Sequence, residues 1–316
     1  MHDEKVIAVV GATGAQGGGL ARAILRDSAG GFSVRALTRD PHAPKARQLA
    51  DSGAEVVAAD LDDPASVRRA FAGAFGAFCV TNYWEHHSPE REVAQAGTMA
   101  AAARHAGLRH IVWSTLEDTR RWMGLDDDRM PTIKGRYKVP HFDGKGESNQ
   151  LFIDAGVPTT FLLTSFYWDN LIHFHMGPRR GTDGVLAITF PLGDSRMPGI
   201  VAEDIGRCAY GIFEGGEEFL GRMVGIAGEH LTCGQMAERL TSAVGERVRY
   251  DAVPPQVYRT LDFPGAEDLA SMFQFKRDFQ DVFCGARDVA LSRHLNPLLQ
   301  TFDQWLDRNK TRILSG

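Results

Sequence analysis

The segment from Val6 to Gly17 constrains the fold more than any other part of this 316-residue chain. Residues Val6 to Val10 are all apolar and mostly β-branched, as expected for a buried strand. Gly11, Gly14 and Gly17 follow at intervals of three, and apolar residues then recur at helical spacing. A strand, a glycine turn and a helix can hold a pyrophosphate, because the glycines let the backbone approach it and the helix N-terminus presents unpaired N–H groups. This context favours a dinucleotide site over an ordinary turn.

A second feature bears on which dinucleotide would bind. The predicted second strand, Ser33 to Thr38, is followed by Arg39 and Asp40. Sites for NAD usually place an acidic residue near this strand end, where it binds the ribose 2′-hydroxyl, whereas an arginine suits the 2′-phosphate of NADP. We therefore interpret Arg39 as a 2′-phosphate ligand whose field Asp40 weakens. A solvated loop charge is the alternative.

The first half of the chain alternates between strand and helix patterns. Strands are predicted at Val6–Val10, Ser33–Thr38, Glu55–Ala58, Ala74–Val80, His110–Ser114 and Thr159–Leu163, and helices at Gly17–Asp27, Pro44–Ser52, Pro64–Ala72, Glu90–His105 and Lys145–Ala155. Right-handed crossovers would put these strands in one parallel sheet, with ligands bound at its carboxyl edge. We expect an α/β fold, with a doubly wound parallel sheet in residues 1–164 and a smaller C-terminal α/β domain in residues 165–316, from which segments can return to the sheet.

Polar residues follow three of these strands at the predicted ligand edge. Asp60 and Leu61 are suited to an adenine amine and ring, and the run from Thr81 to Trp84 to a ribose or nicotinamide. Ser114 is the last residue of the fifth strand. Any one of these residues could be ordinary loop capping, but together they predict a lined pocket.

The rest of the chain gives weaker patterns. The charged segment from Arg120 to Lys138 predicts a mobile surface loop, with a lid or docking site as the alternative. Aromatic residues concentrate after residue 165 and favour an apolar cleft for a flat ligand. The later predictions are strands at Leu186–Phe190 and Met223–Ala227 and helices at Ala202–Phe213, Cys233–Ala243, Pro255–Thr260, Glu267–Phe273 and Asp303–Leu306.

Composition argues against several classes of protein. A net charge of −5 disfavours a nucleic-acid or membrane-surface binder. No apolar stretch is long enough for a membrane span, and the acidic start Met1 to Glu4 differs from a basic secretion signal. The four scattered cysteines predict reduced thiols, and His173 and His175 lack supporting metal ligands. We expect a cytoplasmic protein with no metal site, no nucleic-acid partner and no membrane association.

Four motifs resemble the NmrA-like family of atypical short-chain dehydrogenases/reductases, and particularly its redox-sensor branch. They are Gly11–Gly17, Thr81–Glu85, His141–Glu147 and Phe263–Ala266. The resemblance implies a Rossmann-type domain that binds NADP(H), with a small C-terminal domain as the other wall of the cleft. Together with the strand ends, it gives as cofactor-binding candidates Gly11, Ala12, Thr13, Gly14, Ala15, Gln16, Gly17, Arg39, Asp60, Leu61, Thr81, Asn82, Tyr83, Lys145, Tyr167, Trp168, Asp169 and Asn170.

Two departures from the family pattern affect the cofactor. In the redox-sensor branch, lysines contact the dinucleotide where this chain has Ala43 and Ala94. Loss of two cations should weaken binding of an additional phosphate, although Lys45 is a candidate replacement. Arg39 favours NADP(H) as the cofactor, and the loss of these lysines makes NAD(H) the alternative.

The resemblance also identifies candidate catalytic residues. Conventional relatives use Tyr-x-x-x-Lys, where the tyrosine transfers a proton and the lysine lowers its pKa and holds the ribose. Here His141 and Lys145 occupy that spacing, and histidine is a suitable general acid or base near neutral pH. Ser114 stands where relatives often have a substrate-orienting serine, and Tyr137 is a further candidate. Redox-sensor relatives share the histidine and are regarded as binding modules.

Two functions follow. The first is an oxidoreductase that transfers hydride between the nicotinamide and a planar aromatic or quinone-like small-molecule substrate. The second is a non-catalytic NADP(H) redox sensor that acts through a regulatory protein partner. The apolar cleft favours the enzyme and the replaced tyrosine favours the sensor. We take the enzyme as the first hypothesis, and a homodimer as its expected assembly.

Overall fold

The computed structural model describes residues 4–27, 29–174 and 176–314. Its strands are β1 (Lys5–Val9), β2 (Phe32–Thr38), β3 (Glu55–Ala58), β4 (Gly76–Cys79), β5 (His110–Thr115), β6 (Thr159–Leu163), β7 (Phe166–Tyr167), β8 (Arg179–Arg180), β9 (Leu186–Phe190), β10 (Arg196–Ile200), β11 (Met223–Gly225), β12 (Glu229–Thr232) and β13 (Val248–Ala252). Seven of them form a parallel sheet in the order β11-β6-β5-β4-β1-β2-β3. The strand order reverses between β1 and β4, so the predicted doubly wound α/β sheet of the Rossmann type is confirmed.

Helices cover the faces of this sheet and build the second half of the chain. They are α1 (Ala15–Arg26), α2 (Pro44–Asp51), α3 (Pro64–Phe71), α4 (Pro89–Ala106), α5 (Pro140–Asp154), α6 (Asn170–His173), α7 (Ala202–Gly215), α8 (Cys233–Val244), α9 (Pro255–Tyr258), α10 (Ala266–Asp278), α11 (Gln280–Gly285), α12 (Val289–Leu295) and α13 (Phe302–Ile313). In the described residues, no helix is long and apolar enough to cross a membrane.

Several helices are longer than predicted, and two of them, α5 and α10, carry residues of the site. Helix α5 begins at Pro140, not Lys145, because proline is well suited to the first helical position while Gly144 and Gly146 hid the helical pattern. Both residues of the predicted His-x-x-x-Lys pair therefore lie on one helix. Helix α10 continues to Asp278, beyond the predicted end at Phe273, and buries residues around its circumference, which removes the usual amphipathic pattern.

Segments beyond residue 164 extend the large sheet and pack on one of its helices. Strand β11 pairs in parallel with β6 at the edge of the large sheet. Helix α7 packs closely on α1, and a Cβ added at Gly206 would lie 2.1 Å from the backbone nitrogen of Leu20. The boundary at residue 164 therefore stays a prediction about folding units, since the chain returns to the sheet after it.

The remaining strands form two small sheets, β12-β10-β7 and β13-β9-β8, around an aromatic core. Trp305 is 1% exposed and stacks on Phe302, as expected for the inward face of a terminal helix. Trp168 packs on the same phenylalanine, with ring centroids 5.2 Å apart. This core supports the wall that faces the carboxyl edge of the large sheet.

The charged segment from Arg120 to Lys138 is not simply a surface loop. Met123 and Met130 are buried in the aromatic core, and the ammonium of Lys138 donates hydrogen bonds to the carbonyls of Asp127 and Met130 at 2.7 and 2.8 Å. Isolated methionines among charges give no periodic signal, which is why the sequence interpretation missed these anchors. The start Met1 to Asp3 and His175, on which two other interpretations depend, lie outside the described residues.

Candidate functional site

A cavity of about 680 Å³ lies at the carboxyl edge of the large sheet. It brings together most of the residues selected from the sequence. The predicted residues that line it are Gly11, Thr13, Gly14, Ala15, Gln16, Gly17, Arg39, Asp60, Leu61, Ser114, Thr81, Asn82, Tyr83, His141, Lys145, Tyr167, Asp169 and Asn170. Lys45 is exposed and does not line the cavity, so it does not replace the missing lysines there.

Two predicted cofactor residues lie outside the cavity. The side chain of Ala12 is buried in the core between the large sheet and its helices. The indole of Trp168 is 1% exposed, packs on Phe302, and lies so close to Gly199 that an added Cβ there would be 2.1 Å from its nitrogen. The prediction for Trp168 is therefore corrected to a core role.

Tyr137 also lies away from the cavity, which corrects the catalytic role predicted for it. Its hydroxyl donates a hydrogen bond to Glu90 at 3.2 Å. Arg120 and Arg136 each place a guanidinium 5.5 Å from the centre of its ring. These contacts hold the phenol within the segment that precedes α5. Only 1% of the residue is exposed.

The glycine turn has the geometry of an anion site. Gly11 adopts a φ of +65°, which favours glycine, and its carbonyl accepts a hydrogen bond from the Gly14 N–H at 2.8 Å. A Cβ on Gly17 would lie 2.5 Å from the same carbonyl, so a larger residue would push α1 away from the turn. Gly14 precedes α1 without a side-chain cap, which leaves first-turn N–H groups available to a ligand.

Lys145 is held by a buried polar cluster at the end of β4. Its ammonium donates to the hydroxyl and the carbonyl of Thr81 at 2.6 and 3.2 Å, and lies 3.0 Å from a carboxylate oxygen of Glu92. The Thr81 hydroxyl donates to the same oxygen at 2.7 Å. Glu92 is fully buried in the first turn of α4. This arrangement fixes a positive charge beside the cavity with little freedom to move.

His141 forms a second buried pair, with Asp268 of α10. Nδ1 of the imidazole and Oδ1 of the carboxylate are 2.6 Å apart, and each residue is 5% exposed. A carboxylate accepts, so Nδ1 donates and its proton is fixed there. No described residue forms a hydrogen bond with Nε2, the other ring nitrogen. A histidine oriented by a carboxylate on one side and open on the other is arranged for proton transfer.

Aromatic rings enclose this histidine. The centres of the Trp84 and Tyr83 rings lie 4.9 and 5.6 Å from the centre of the imidazole. Burial, and then the nearby negative charge of Asp268, raise the pKa of Tyr83, so its phenol stays neutral. The histidine therefore lies at an apolar surface that would suit a flat ring.

Ser114 is connected to the glycine turn. Its hydroxyl donates to the side-chain oxygen of Gln16 at 2.8 Å, and the amide nitrogen of Gln16 donates to the hydroxyl of Tyr167. Burial raises the pKa of Tyr167 to about 12, so this phenol also stays protonated. Ser114 thus lines the cavity as predicted, but its proton is directed to Gln16.

Arg39 forms an ion pair with Glu85, the last residue of the Thr81–Glu85 motif. The arginine follows β2 and the glutamate lies beyond β4, and both line the cavity. Their side chains are 63% and 40% exposed, so the pair is solvated and can open. Any phosphate bound by Arg39 would therefore compete with Glu85. In the part of the chain that the structure describes, no three potential metal ligands cluster.

The sequence model of the NmrA-like family matches residues 3–306. The chain belongs to the NmrA-like family. The resemblance inferred from the four motifs is confirmed, and the match covers nearly the full chain.

Relatives of this NmrA-like protein include enzymes and a regulator. FrzB of Cladobotryum sp., named an NmrA-like family domain-containing oxidoreductase, is 29% identical over 289 residues that cover 85% of this chain and 83% of FrzB. Among solved structures, NmrA, a negative transcriptional regulator in complex with NADP, has a TM-score of 0.79 at 22% identity and covers 96% of this chain and 95% of its own. The NADP(H) complex of Citrobacter sp. triphenylmethane reductase has a TM-score of 0.76 at 18% identity, covering 97% and 99%.

Sequence reasoning missed four charged residues of this NmrA-like site. Glu92 and Asp268 support the predicted lysine and histidine, Glu85 pairs with Arg39, and Lys276 lines the cavity among aromatic rings. Asp268 follows the Phe263–Ala266 motif by two residues, which was the one available signal. Glu85 lies within the Thr81–Glu85 motif, but no local pattern indicates its ion pair with Arg39, and Glu92 and Lys276 carry no pattern that distinguishes them from surface charges.

Proposed function

We propose that this protein is an NAD(P)(H)-dependent oxidoreductase that acts on a planar aromatic or quinone-like small molecule. The observation that carries the proposal is the buried His141–Asp268 pair, whose histidine lines the same cavity as Lys145 and the glycine turn. Reduction of a carbonyl or quinone needs a proton at the oxygen as well as a hydride at carbon, and His141 has an unused ring nitrogen for that proton.

The cavity residues fit a dinucleotide by their own chemistry. The uncapped N-terminus of α1 would hold the pyrophosphate, and Asp60 and Leu61 would contact the adenine. Lys145 and Thr81 would bind the hydroxyls of the ribose that carries the nicotinamide. A bound dihydronicotinamide supplies the hydride. The names of the relatives also support this cofactor, because NmrA is described in complex with NADP and the triphenylmethane reductase with NADP(H).

The protein's own residues would manage the proton. With Nδ1 bound to Asp268, His141 would donate from Nε2 to the developing alkoxide or phenoxide of the substrate. The carboxylate would stabilise the imidazolium before this transfer and keep the ring in place afterwards. Trp84 and Phe142, which contact the imidazole, would exclude water from the substrate ring. The triphenylmethane reductase, whose name indicates an aromatic substrate, supports the choice of an aromatic ligand.

Two measurements test the proposal. Calorimetric titration with NADPH, NADP, NADH and NAD would establish the cofactor, and NAD(P)H consumption with a panel of quinones and aromatic ketones would establish turnover. We expect turnover that disappears in His141→Ala while cofactor affinity stays within about twofold of the wild type. Tight cofactor binding with no turnover across the panel would contradict the enzyme.

A non-catalytic NADP(H) sensor is the second candidate. His141 stands where conventional relatives have the proton-transferring tyrosine, and this replacement favours a binding role. NmrA itself is a negative transcriptional regulator. A sensor requires that cofactor-bound and cofactor-free forms bind a regulatory protein partner differently. The homodimer and the cytoplasmic location remain predictions in either case.

A further inference from the structure

Helix α10 carries a lysine that the proposed reaction does not use. Lys276 is 3% exposed and lines the cavity on the same helix face as Leu269 and Met272. It lies eight residues beyond Asp268, which is about 12 Å along the helix at 1.5 Å per residue. The wall that holds the His141–Asp268 pair therefore continues to a second buried ionisable group.

The ammonium of Lys276 lies in a box of phenyl rings. Phe142, Phe166, Phe273 and Phe283 have ring centres 5.6, 5.9, 5.5 and 5.2 Å from Nζ. These cation–π contacts offset part of the loss of hydration. No described residue accepts a hydrogen bond from Nζ, although an ammonium has three N–H donors. A buried ammonium in this position lacks the polar partner that burial normally requires.

The protein supplies no free counter-ion for this lysine among the described residues. Glu117 is the nearby carboxylate, but its two oxygens are bound by Arg287 at 2.5 and 3.1 Å. Arg287 is fully buried and repels a second positive charge. Burial, and then the charge of Arg287, lower the pKa of Lys276 to about 7, and Glu117 opposes this shift. The ammonium form is therefore less favoured here than it is for an exposed lysine.

We propose that Lys276 binds an anionic oxygen of the ligand, a carboxylate or phenolate carried on a flat aromatic body. Phe142, Phe166 and Phe283, which line the cavity, would select the aromatic body, and the lysine would supply the one charged contact. Binding of the anion would give Nζ its missing partner and favour the ammonium form. The identification of this ligand as the substrate rests on the proposed oxidoreductase function.

A purely structural lysine is the alternative. In that case a methionine of similar length should fill the same aromatic box without affecting any ligand. Lys276→Met is expected to fold, because it removes a buried charge that has no protein partner. Thermal denaturation of the variant verifies this before any binding is compared.

The first experiment compares two matched probes, 2-naphthoate and its neutral analogue 2-naphthamide, by calorimetry at pH 6.5. Titrations are run with and without saturating NADP. We expect the wild type to bind naphthoate at least about tenfold more tightly than the amide, which corresponds to about 1.4 kcal/mol. In Lys276→Met the preference should disappear while the affinity for the amide changes by less than about twofold.

The second experiment uses pH and Lys276→Arg. A carboxylate probe is ionised throughout the range from about pH 6 to 8.5, so the lysine determines the change in affinity. The wild type should bind naphthoate less tightly as pH rises through about 7, because the ammonium is lost. The arginine variant stays charged and should show a flat profile. A decline that persists in this variant would implicate His141, which lines the same cavity, and would overturn the assignment.

Equal wild-type affinities for acid and amide, no binding of either probe, or a preference that survives in Lys276→Met would each overturn the proposal. These measurements require no turnover. A protein that shows the lysine-dependent preference but reduces nothing in the substrate panel would overturn the oxidoreductase and leave the Lys276 site standing. Turnover without this preference would overturn the Lys276 site and leave the oxidoreductase standing.

Discussion

The hydrogen bond between His141 and Asp268 determines which ring nitrogen can exchange a proton with a ligand. Asp268 accepts from Nδ1, so Nε2 is the nitrogen that exchanges a proton with a ligand: it accepts in the neutral ring and donates in the imidazolium. Without the carboxylate the neutral ring could place its proton on either nitrogen and could turn more freely. Asp268 is therefore a positioning residue, and its effect should appear in the chemical step rather than in cofactor binding.

The variant Asp268→Asn tests that role. An amide in place of the carboxylate cannot stabilise an imidazolium, so we expect kcat for the best substrate of the panel to fall about 100-fold, within the usual range for acid–base catalysis. Cofactor affinity should change by less than about twofold. Steady-state NAD(P)H consumption and calorimetry give the two values. Glu267→Gln, at the exposed neighbouring position on α10, is the matched control. An unchanged kcat in Asp268→Asn would remove this residue from the mechanism.

The Arg39–Glu85 ion pair leads to a prediction about a different property, the choice between the two dinucleotides. Arg39→Ala should weaken NADP(H) about tenfold or more and NAD(H) much less, because only the former offers a 2′-phosphate to the guanidinium. Glu85→Gln should strengthen NADP(H) by about two- to fivefold, the amount expected for opening an exposed ion pair. Calorimetry with each cofactor measures both changes.

The double variant provides the control for this pair. Glu85→Gln in the Arg39→Ala background should no longer improve NADP(H) binding, since there is no guanidinium to release. Equal losses for NADP(H) and NAD(H) in Arg39→Ala would show that the arginine does not bind a 2′-phosphate.

Secondary structure was predictable where burial and periodicity agree. Strands β6 and β9 have the bounds expected from the sequence, because each is a short and largely apolar, buried segment; β3 also has the expected bounds, although none of its residues is buried. The start of α5 was missed because two glycines obscure it, and the anchors of the Arg120–Lys138 segment were missed because they are isolated. Local patterns therefore predicted the parallel sheet and the succession of strands and helices along the chain. They did not predict where charged segments become buried.

Packing between α1 and α7 depends on glycine and gives a prediction about stability. A Cβ at Gly206 would lie 2.1 Å from the backbone nitrogen of Leu20, and backbone atoms cannot move aside as side chains do. Gly206→Ala should therefore lower the free energy of unfolding by about 3 kcal/mol, near the upper end of overpacking costs. Urea denaturation followed by circular dichroism measures the change. Gly234→Ala, in α8 with no atom closer than 3.7 Å, should be neutral or stabilising. Equal stability of the two variants would show that the helices are not in close contact.

The candidate site combines residues that are far apart in the chain, and the contacts between them could not be predicted from the sequence. The predicted glycine turn, Thr81, His141 and Lys145 carry family motifs, so they could be identified one by one. Asp268 lies 127 residues from His141 and became visible only when the second half of the chain folded over the sheet edge. A single sequence contains no information about which acidic residue of many faces a given histidine.

The buried Glu117–Arg287 pair links the two walls of the cavity. Arg287 also donates to the carbonyl of Thr164 at 2.9 Å and to that of Phe283 at 3.0 Å. One guanidinium thus joins the ends of β5 and β6 to the chain around α11. Because both partners are almost fully buried, removal of one charge leaves the other uncompensated.

Glu117→Gln should therefore destabilise the protein by about 3 kcal/mol or more, as expected when one partner of a buried ion pair is lost. The matched control is Glu55→Gln, which breaks the ion pair with Arg35 at a glutamate that is 56% exposed and should cost about 1 kcal/mol or less. Urea unfolding of both variants provides the comparison. Since the pair joins the two walls, Glu117→Gln should also weaken binding of the naphthamide probe. A loss of stability with unchanged probe affinity would show that the cavity does not depend on this link.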